Sequence, residues 1–389
     1  MISVGIDVAK DKHDCFIISS EGEILKDVFT ISNDIKGFTI LLEVIKECSS
    51  SQEKIKVGLE ATGHYSYNIL RFLNANDLPV YVLNPLSTSQ FRKSRSLRKT
   101  KTDKIDARNI ATMLLSDVDL QPYHNIEYHN DELKSLTRYL FLQIKERAKL
   151  KQRLSRLVTI IFPELEHIVS SIHNAYVYAV LREYSSIKAI SRAHLNHLSS
   201  IIEKASRGRH SEEKAIELRE AAKKSIGSSN LTNSMELRHI FSLFDIIEEQ
   251  IKETENSIED IMSQVDSPIL TIPGIGIRTA AMIIGEIGEF AKFNTPDKIL
   301  AFAGIAPSTS TSGYRTKSYG HMEKRGSIYL RYALFSAARN VCLYNEKFKT
   351  YLAKKRAEGK HYSVAMSHVA KKLVRVIFSL QKTGAIYEI

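Results

Sequence analysis

Ser3-Val-Gly-Ile-Asp-Val-Ala9 opens the chain as a short apolar β-run with one acid, Asp7, inside it. A carboxylate in a hydrophobic strand is costly to bury unless it is paired or binds a cation. Working outward, Cys15–Ser19 and Leu25–Thr30 read as two further strands separated by polar turns. Residues 34–48 read as an amphipathic helix with Ile35, Phe38, Leu41, Leu42 and Ile45 on its apolar face, capped by Asn33 or Asp34. Ile55–Glu60 is the next strand, Tyr65–Asn74 a helix, Pro79–Leu83 a strand and Lys104–Leu115 a helix. The order β-β-β-α-β-α-β-α predicts a mixed sheet with helices packed on it.

The chain has 389 residues, 43% hydrophobic and 25% charged, which is ordinary globular composition for two or three domains. No apolar run approaches the length of a membrane span. The first residues lack the basic start and uncharged core of a signal peptide, which argues against export and for a cytoplasmic, nucleoid-associated protein. Cys15, Cys48 and Cys342 are scattered, so neither a disulfide framework nor a zinc knuckle is expected. Lys and Arg number 55 against 44 Asp and Glu, a balance of +11 that favours a polyanionic partner.

Three blocks follow, 1–125, 126–265 and 266–389, giving a fold class of α/β plus all-α. The middle block is helical and charged. Leu150, Leu154, Leu157 and Ile161 share one face before Pro163 breaks the helix. Leu237, Ile240, Phe244, Ile247, Ile251, Thr254, Ile258 and Ile261 then recur at spacings of 3 and 4, a heptad seam. Its polar outer face favours a coiled coil between copies over a long helix packed within one chain. Residues 206–229 read as a loop and a short helix. In the third block, eight of the 17 glycines fall between Gly274 and Gly326, marking tight turns and close backbone approach. A last helix near 363–380 carries Lys371, Lys372 and Arg375 among its apolar positions.

The acids of the first block belong together. Asp7 lies in strand one and Glu60 ends strand four, while Asp103 and Asp106, at i and i+3, share a face at the start of the last helix. Four such carboxylates repel one another unless a divalent cation lies among them, and hard oxygen ligands suit Mg²⁺ or Mn²⁺. Two ions would stabilise the attacking and leaving oxygens of a phosphodiester. Taken singly, Glu60 also reads as a surface acid and Asp103 as a helix-dipole acid.

Seven of the 13 residues from Arg92 to Lys104 are basic: Arg92, Lys93, Arg95, Arg98, Lys99, Lys101 and Lys104. Beside an acidic cluster they are candidates for neutralising backbone phosphates. A second set, Lys145, Arg147, Lys149, Lys151, Arg153 and Arg156, spreads over several helix faces and reads as much as solvation as binding. Pro273-Gly274-Ile275-Gly276 reads as a hairpin opening a helix, which offers backbone N–H groups to a phosphate, or else packs helices. The loop Ser308-Thr-Ser-Thr-Ser312 ends at Gly313, and His321, Lys324, Arg325 and Arg331 follow as possible phosphate holders.

These motifs carry a resemblance. Gly5-Ile-Asp-Val-Ala-Lys10, Gly58-Leu-Glu-Ala-Thr-Gly63 and Lys101-Thr-Asp-Lys-Ile-Asp-Ala-Arg108 resemble the DEDD motif of the insertion-sequence 110 family of transposases. Ile272-Pro-Gly-Ile-Gly276, Phe302-Ala-Gly-Ile-Ala-Pro307, Ser312-Gly313 and Lys324-Arg-Gly-Ser-Ile-Tyr-Leu-Arg331 resemble that family's second domain. The resemblance implies an RNase H-like (RuvC-like) fold for the first block, with Asp7, Glu60, Asp103 and Asp106 as metal ligands. It implies a C-terminal transposase domain whose serine, Ser312 or alternatively Ser310, attacks DNA and forms a covalent link. It further implies double-stranded donor and target DNA, an element-encoded guide RNA, and a homo-oligomer, dimer or tetramer, whose protomers share a composite site.

Rival readings are a Holliday-junction resolvase-like nuclease that uses the four acids and water, and a non-catalytic nucleic-acid binder. An actin-like ATPase shares the Val-Gly-Ile-Asp-Val-Ala pattern, but the helical middle block offers no second β-β-β unit with phosphate and adenosine loops.

Overall fold

The structure, a computed structural model, describes residues 1–49, 53–60, 65–83, 85–95, 103–116, 128–228, 230–307, 311–312, 315–316 and 322–388. Two compact units divide it, Met1–Asn125 and Ile126–Ile389. No helix among the described residues is long and apolar enough to cross a membrane.

In the first unit the elements are β1 (Ile2–Val8), β2 (Lys12–Ser19), β3 (Ile24–Ser32), α1 (Ile35–Cys48), β4 (Ile55–Glu60), α2 (Ser66–Ala75), β5 (Val80–Leu83), α3 (Pro85–Arg95) and α4 (Asp103–Ser116). The sheet order is β3-β2-β1-β4-β5. Strands β1 to β3 pair antiparallel, and β1, β4 and β5 run parallel. The mixed sheet expected from the sequence is present. Asp34 caps α1 by accepting from the Gly37 amide at 2.7 Å, which satisfies one of the donors a helix start leaves open.

Strand alternation sorts the side chains onto two faces. Ile2, Val4, Ile6, Val8, Cys15, Ile17, Val57 and Leu59 point one way and bury against Phe38, Leu41 and Ile45 of α1 and Ile69, Leu70 and Leu73 of α2. The opposite face carries α4. There Phe16 packs on Ala107 and Ala111. Gly5 and Gly58, paired in register, let the helix lie close. A Cβ on Gly5 would stand 2.2 Å from the Ala107 carbonyl oxygen, and one on Gly58 would stand 2.7 Å from Leu114 Cδ1.

The second unit is helical: α5 (Tyr128–Ile161), α6 (Leu165–Ile168), α7 (Ala175–Glu183), α8 (Ile187–Ser191), α9 (Leu195–Ser206), α10 (Glu212–Lys224), α11 (Leu231–Met262), α12 (Ile277–Ile287), α13 (Pro296–Phe302), the short strands β6 (Thr311–Ser312) and β7 (Arg315–Thr316), then α14 (Ile328–Tyr344), α15 (Glu346–Ala357) and α16 (Tyr362–Thr383). The long helices α5 and α11 pack antiparallel, tied by Arg147–Glu248 and Arg156–Glu236. Those pairs, with Lys149–Glu146, engage three of the six cations that the sequence places along the first long helix.

The heptad seam is covered from inside the chain. Leu237, Ile240 and Phe244 pack with Leu150, Leu154, Leu157 and Ile161 and with the apolar faces of α7 to α10. Ile251 and Ile258 join a second core with Leu133, Leu140, Phe141, α12, α14 and α16. An apolar stripe already covered by α5 is not left to join another copy. The middle and third blocks thus fall within one unit, because the distal ends of α5 and α11 supply part of its C-terminal core.

Candidate functional sites: an acidic sheet face and a serine hairpin

Asp7 is two residues beyond Gly5, and Glu60 is two beyond Gly58, so both share the α4 face. The registered β1–β4 pairs end at Ile6–Leu59, which makes Asp7 and Glu60 the next residues on adjacent parallel strands. Glu60 accepts a hydrogen bond from Thr88 Oγ1 of α3 at 3.0 Å. Asp103 opens α4, and Asp106 lies one turn on. The Asp106 carboxylate is held by Arg92 Nη1 at 3.1 Å, with side chains 15% and 30% exposed.

A further acid was missed from the sequence. Asp14 stands directly across from Asp7 in the β1–β2 register and is 6% exposed. Facing cross-strand residues project on one side of the sheet, so Asp14 also belongs to the α4 face. Thr30 Oγ1 donates to it at 2.5 Å. Its signal was the one that marked Asp7, an acid within an apolar strand, but that strand starts at Lys12 and not at Cys15. Next to it His13 is fully buried and stacked on Phe38, and burial holds its imidazole below the ordinary range.

Carboxylate oxygens are the right kind of donor for a hard divalent cation. Their arrangement is not yet that of a metal site. Among the described residues no three His, Cys, Asp or Glu side chains come together closely enough to hold an ion, and Asp106 is given to a guanidinium.

The expected basic residues divide. Arg92 faces Asp106. Lys93 and Arg95 lie in α3 and Lys104 in α4. Arg98, Lys99 and Lys101 lie outside the described residues.

In the second unit the serine segment is a hairpin. Thr311 pairs with Thr316 and Ser312 with Arg315, while Ser310, Gly313 and His321 lie outside the described residues. Its root is a pair of loops zipped by backbone bonds. Glu323 donates to Ala306 at 3.1 Å, Lys324 to Gly304 at 3.1 Å and Ser327 to Phe302 at 2.8 Å, and Pro307 bridges Met322. Gly326, at φ +150°, would place a Cβ 2.3 Å from the Phe302 carbonyl oxygen, so only glycine fits there. Arg331, expected at a phosphate, instead donates to the carbonyls of Ala303 at 3.0 Å and Lys324 at 3.3 Å. Lys324 and Arg325 are exposed.

Beneath this root lies Glu286 of α12, its side chain fully buried. Arg138 Nε and Nη2 of α5 donate to it at 2.5 and 3.1 Å, and Ser327 Oγ donates at 2.6 Å. Ser327 also caps α14 by accepting from the Leu330 amide. Burial and the neighbouring Arg138 push the Lys134 ammonium below its ordinary range, partly opposed by Glu286.

The Pro-Gly-Ile-Gly turn joins a 3₁₀ turn, Pro268–Thr271, to α12. Gly274, at φ +97°, would set a Cβ 2.8 Å from Asn340 backbone atoms of α14. This glycine therefore packs helices. Gly276 is the N-cap of α12 and is exposed.

Comparisons with known proteins agree with one another. A family described as Transposase matches residues 4–163, and one described as Transposase IS116/IS110/IS902 family matches 266–353. An insertion element IS116 protein of 44.8 kDa from Streptomyces clavuligerus is 25% identical, over 99% of this chain and 96% of its own. A pilin gene-inverting protein from Moraxella bovis is 23% identical, over 97% of this chain and 94% of its own. T. thermophilus RuvC, solved in complex with a Holliday junction substrate, aligns over 32% of this chain and 99% of its own at 12% identity with a TM-score of 0.24, too loose a superposition to assign a fold. With both family descriptions in order along one chain, and full-length relatives beside them, the protein belongs to the IS116/IS110/IS902 family of transposases.

Proposed function

We propose that the chain cuts and exchanges DNA strands through a covalent serine–DNA intermediate, guided by an RNA that its element encodes. The observation that carries this reading is the acidic face of the first unit, with Asp7 and Glu60 at the ends of adjacent parallel strands, Asp14 across from Asp7, and α4, which carries Asp106, packed on that face. The sheet order and mixed pairing support an RNase H-like nuclease unit. The carboxylates would hold Mg²⁺ or Mn²⁺, whose charge offsets that of the phosphodiester.

Ser312 Oγ is the nucleophile of this reading. Its bond to phosphorus forms as the bond from phosphorus to the leaving deoxyribose oxygen breaks, and the hydroxyl proton ends on that oxygen. The phosphoserine link conserves the phosphodiester, so a second deoxyribose hydroxyl reverses the step on a new strand. The zipped loops at 302–307 and 322–327 hold the hairpin's root, which favours a fixed attack geometry. Donor and target duplexes are the substrates, and copies of the chain would assemble on them.

The test incubates the full chain, element-derived RNA, Mg²⁺ and labelled donor and target DNA, followed by a denaturing gel. DNA migrating with protein, lost in Ser312→Ala, supports the reading. An adduct that persists in that variant moves the role to another hydroxyl, with Ser310 next. Cleaved ends without adduct put a water-using nuclease in its place. Asp7→Ala abolishes recombination while leaving DNA binding largely intact; full recombination by that variant sinks the assignment.

A further inference from the structure

The basic residues that neither site uses gather at the C-terminal end. Residues 345–389 hold ten Lys or Arg against three Asp or Glu, an excess of seven within a chain total of +11. Helix α16 contains no acid in its 22 residues. Most of this charge lies beyond 266–353, the stretch matched to the family.

The cations converge. The Lys355 and Lys372 ammoniums both stand over the Tyr351 ring, 5.5 and 4.6 Å from its centroid. His368 is held below its ordinary range first by burial and then by Lys371, Lys355 and Lys360, with Glu358 opposing, so these groups surround it. Glu358 is shared by two of them, at 2.9 Å from Lys355 and 2.5 Å from Lys360. Glu358 and the Asp297 carboxylate that faces Arg375 and Lys371 do not offset Lys355, Lys360, Lys371, Lys372 and Arg375 together. Their mutual repulsion is relieved by a polyanion laid across both helices.

We propose that the α15–α16 surface docks duplex DNA by its phosphate backbone, away from the reacting strands. The proposal rests on the reading of the chain as a DNA-acting transposase. Lysine dominates over arginine here, and lysine neutralises phosphates as a point charge without the fork that reads bases. The Tyr351 ring is already covered by two ammoniums, so it is not a platform on which single-stranded bases stack. Both helices are seated on the hydrophobic core through Phe348, Val369, Leu373 and Ile377, which suits a rigid duplex.

The experiment measures anisotropy of a labelled random-sequence duplex with the full chain over a range of salt. The Lys355→Gln, Lys371→Gln, Lys372→Gln triple variant is expected to bind at least about tenfold more weakly near physiological salt. The slope of log K against log salt should fall by about 0.9 for each phosphate that is no longer neutralised. The corresponding triple Lys→Arg variant keeps the slope, which separates charge from folding. Unchanged duplex affinity and slope overturn the proposal. A loss confined to structured RNA overturns it as well, in favour of an RNA-docking surface. Failure of the serine reading shows instead as an absent adduct with wild-type protein, while the binding comparison still scores the surface.

Discussion

Gly5 and Gly58 stand opposite each other in the β1–β4 register, directly beneath α4, but they meet different atoms. A Cβ on Gly5 would strike the backbone of Ala107 and Ala111, whereas one on Gly58 would strike the side chains of Leu114 and Ile110. Backbone cannot step aside, and a leucine rotamer can. We expect Gly5→Ala to cost about 3 kcal/mol and Gly58→Ala about 1 kcal/mol. Urea denaturation followed by circular dichroism would show it; equal costs would mean that α4 moves as a body.

Glu286 and Arg138 form a buried pair at the root of the serine hairpin. Removing Arg138 strands the fully buried Glu286 carboxylate, so Arg138→Met alone should cost about 3–5 kcal/mol, whereas Arg138→Met combined with Glu286→Leu should recover most of it. A double-mutant cycle gives the coupling directly. If the double variant is as unstable as the single, the pair contributes through packing and not through charge.

Arg92 competes with any cation for Asp106. An ion pair this accessible is worth up to roughly 1 kcal/mol, so Arg92→Gln should tighten Mn²⁺ binding by about fivefold at most. Calorimetric titration checks it, with no need for turnover. Weaker Mn²⁺ binding in the variant would show that the arginine supports the ligands and does not compete.

Hydrogen bonds from Lys360 and Lys355 hold the Glu358 carboxyl down to about 2. A depressed acid contributes stability above its unfolded value of about 4.3 and loses it as pH falls through the folded value. Carboxyl NMR should therefore find Glu358 titrating near pH 2, with the ion pairs that close the turn after α15 loosening only below about pH 4. Titration at the unfolded value would mean that the two lysines do not hold it in solution.

The first unit was legible because its strands announce themselves. Apolar alternation around Asp7 and Glu60, with helix periodicity at 34–48 and 104–115, gave these elements to within about three residues, the start of β2 being the largest miss. Helix α3 went unread because its polar sequence, Pro85 to Arg95, has no apolar stripe, and its Thr88 contact to Glu60 is made in space. The seam of α11 was legible as a pattern but not as to partner: heptads state that something covers Leu237 and Ile258, and α5 answers from about a hundred residues away. Short α6 to α9 were missed for the same reason, since their apolar residues are meaningful only against that helical pair. Glu286 was invisible as a site residue because burial, the property that marks it, is tertiary, whereas Asp14 was lost with the first residues of β2, which starts at Lys12.

The internally covered seam has a kinetic consequence. A helix whose apolar stripe is occupied by its own chain cannot exchange partners at Leu237, Ile240 or Ile258 without opening its core. Any pairing between copies through α11 would fall instead to its outer face, where Leu231, Met235, Leu243 and Ile246 are exposed.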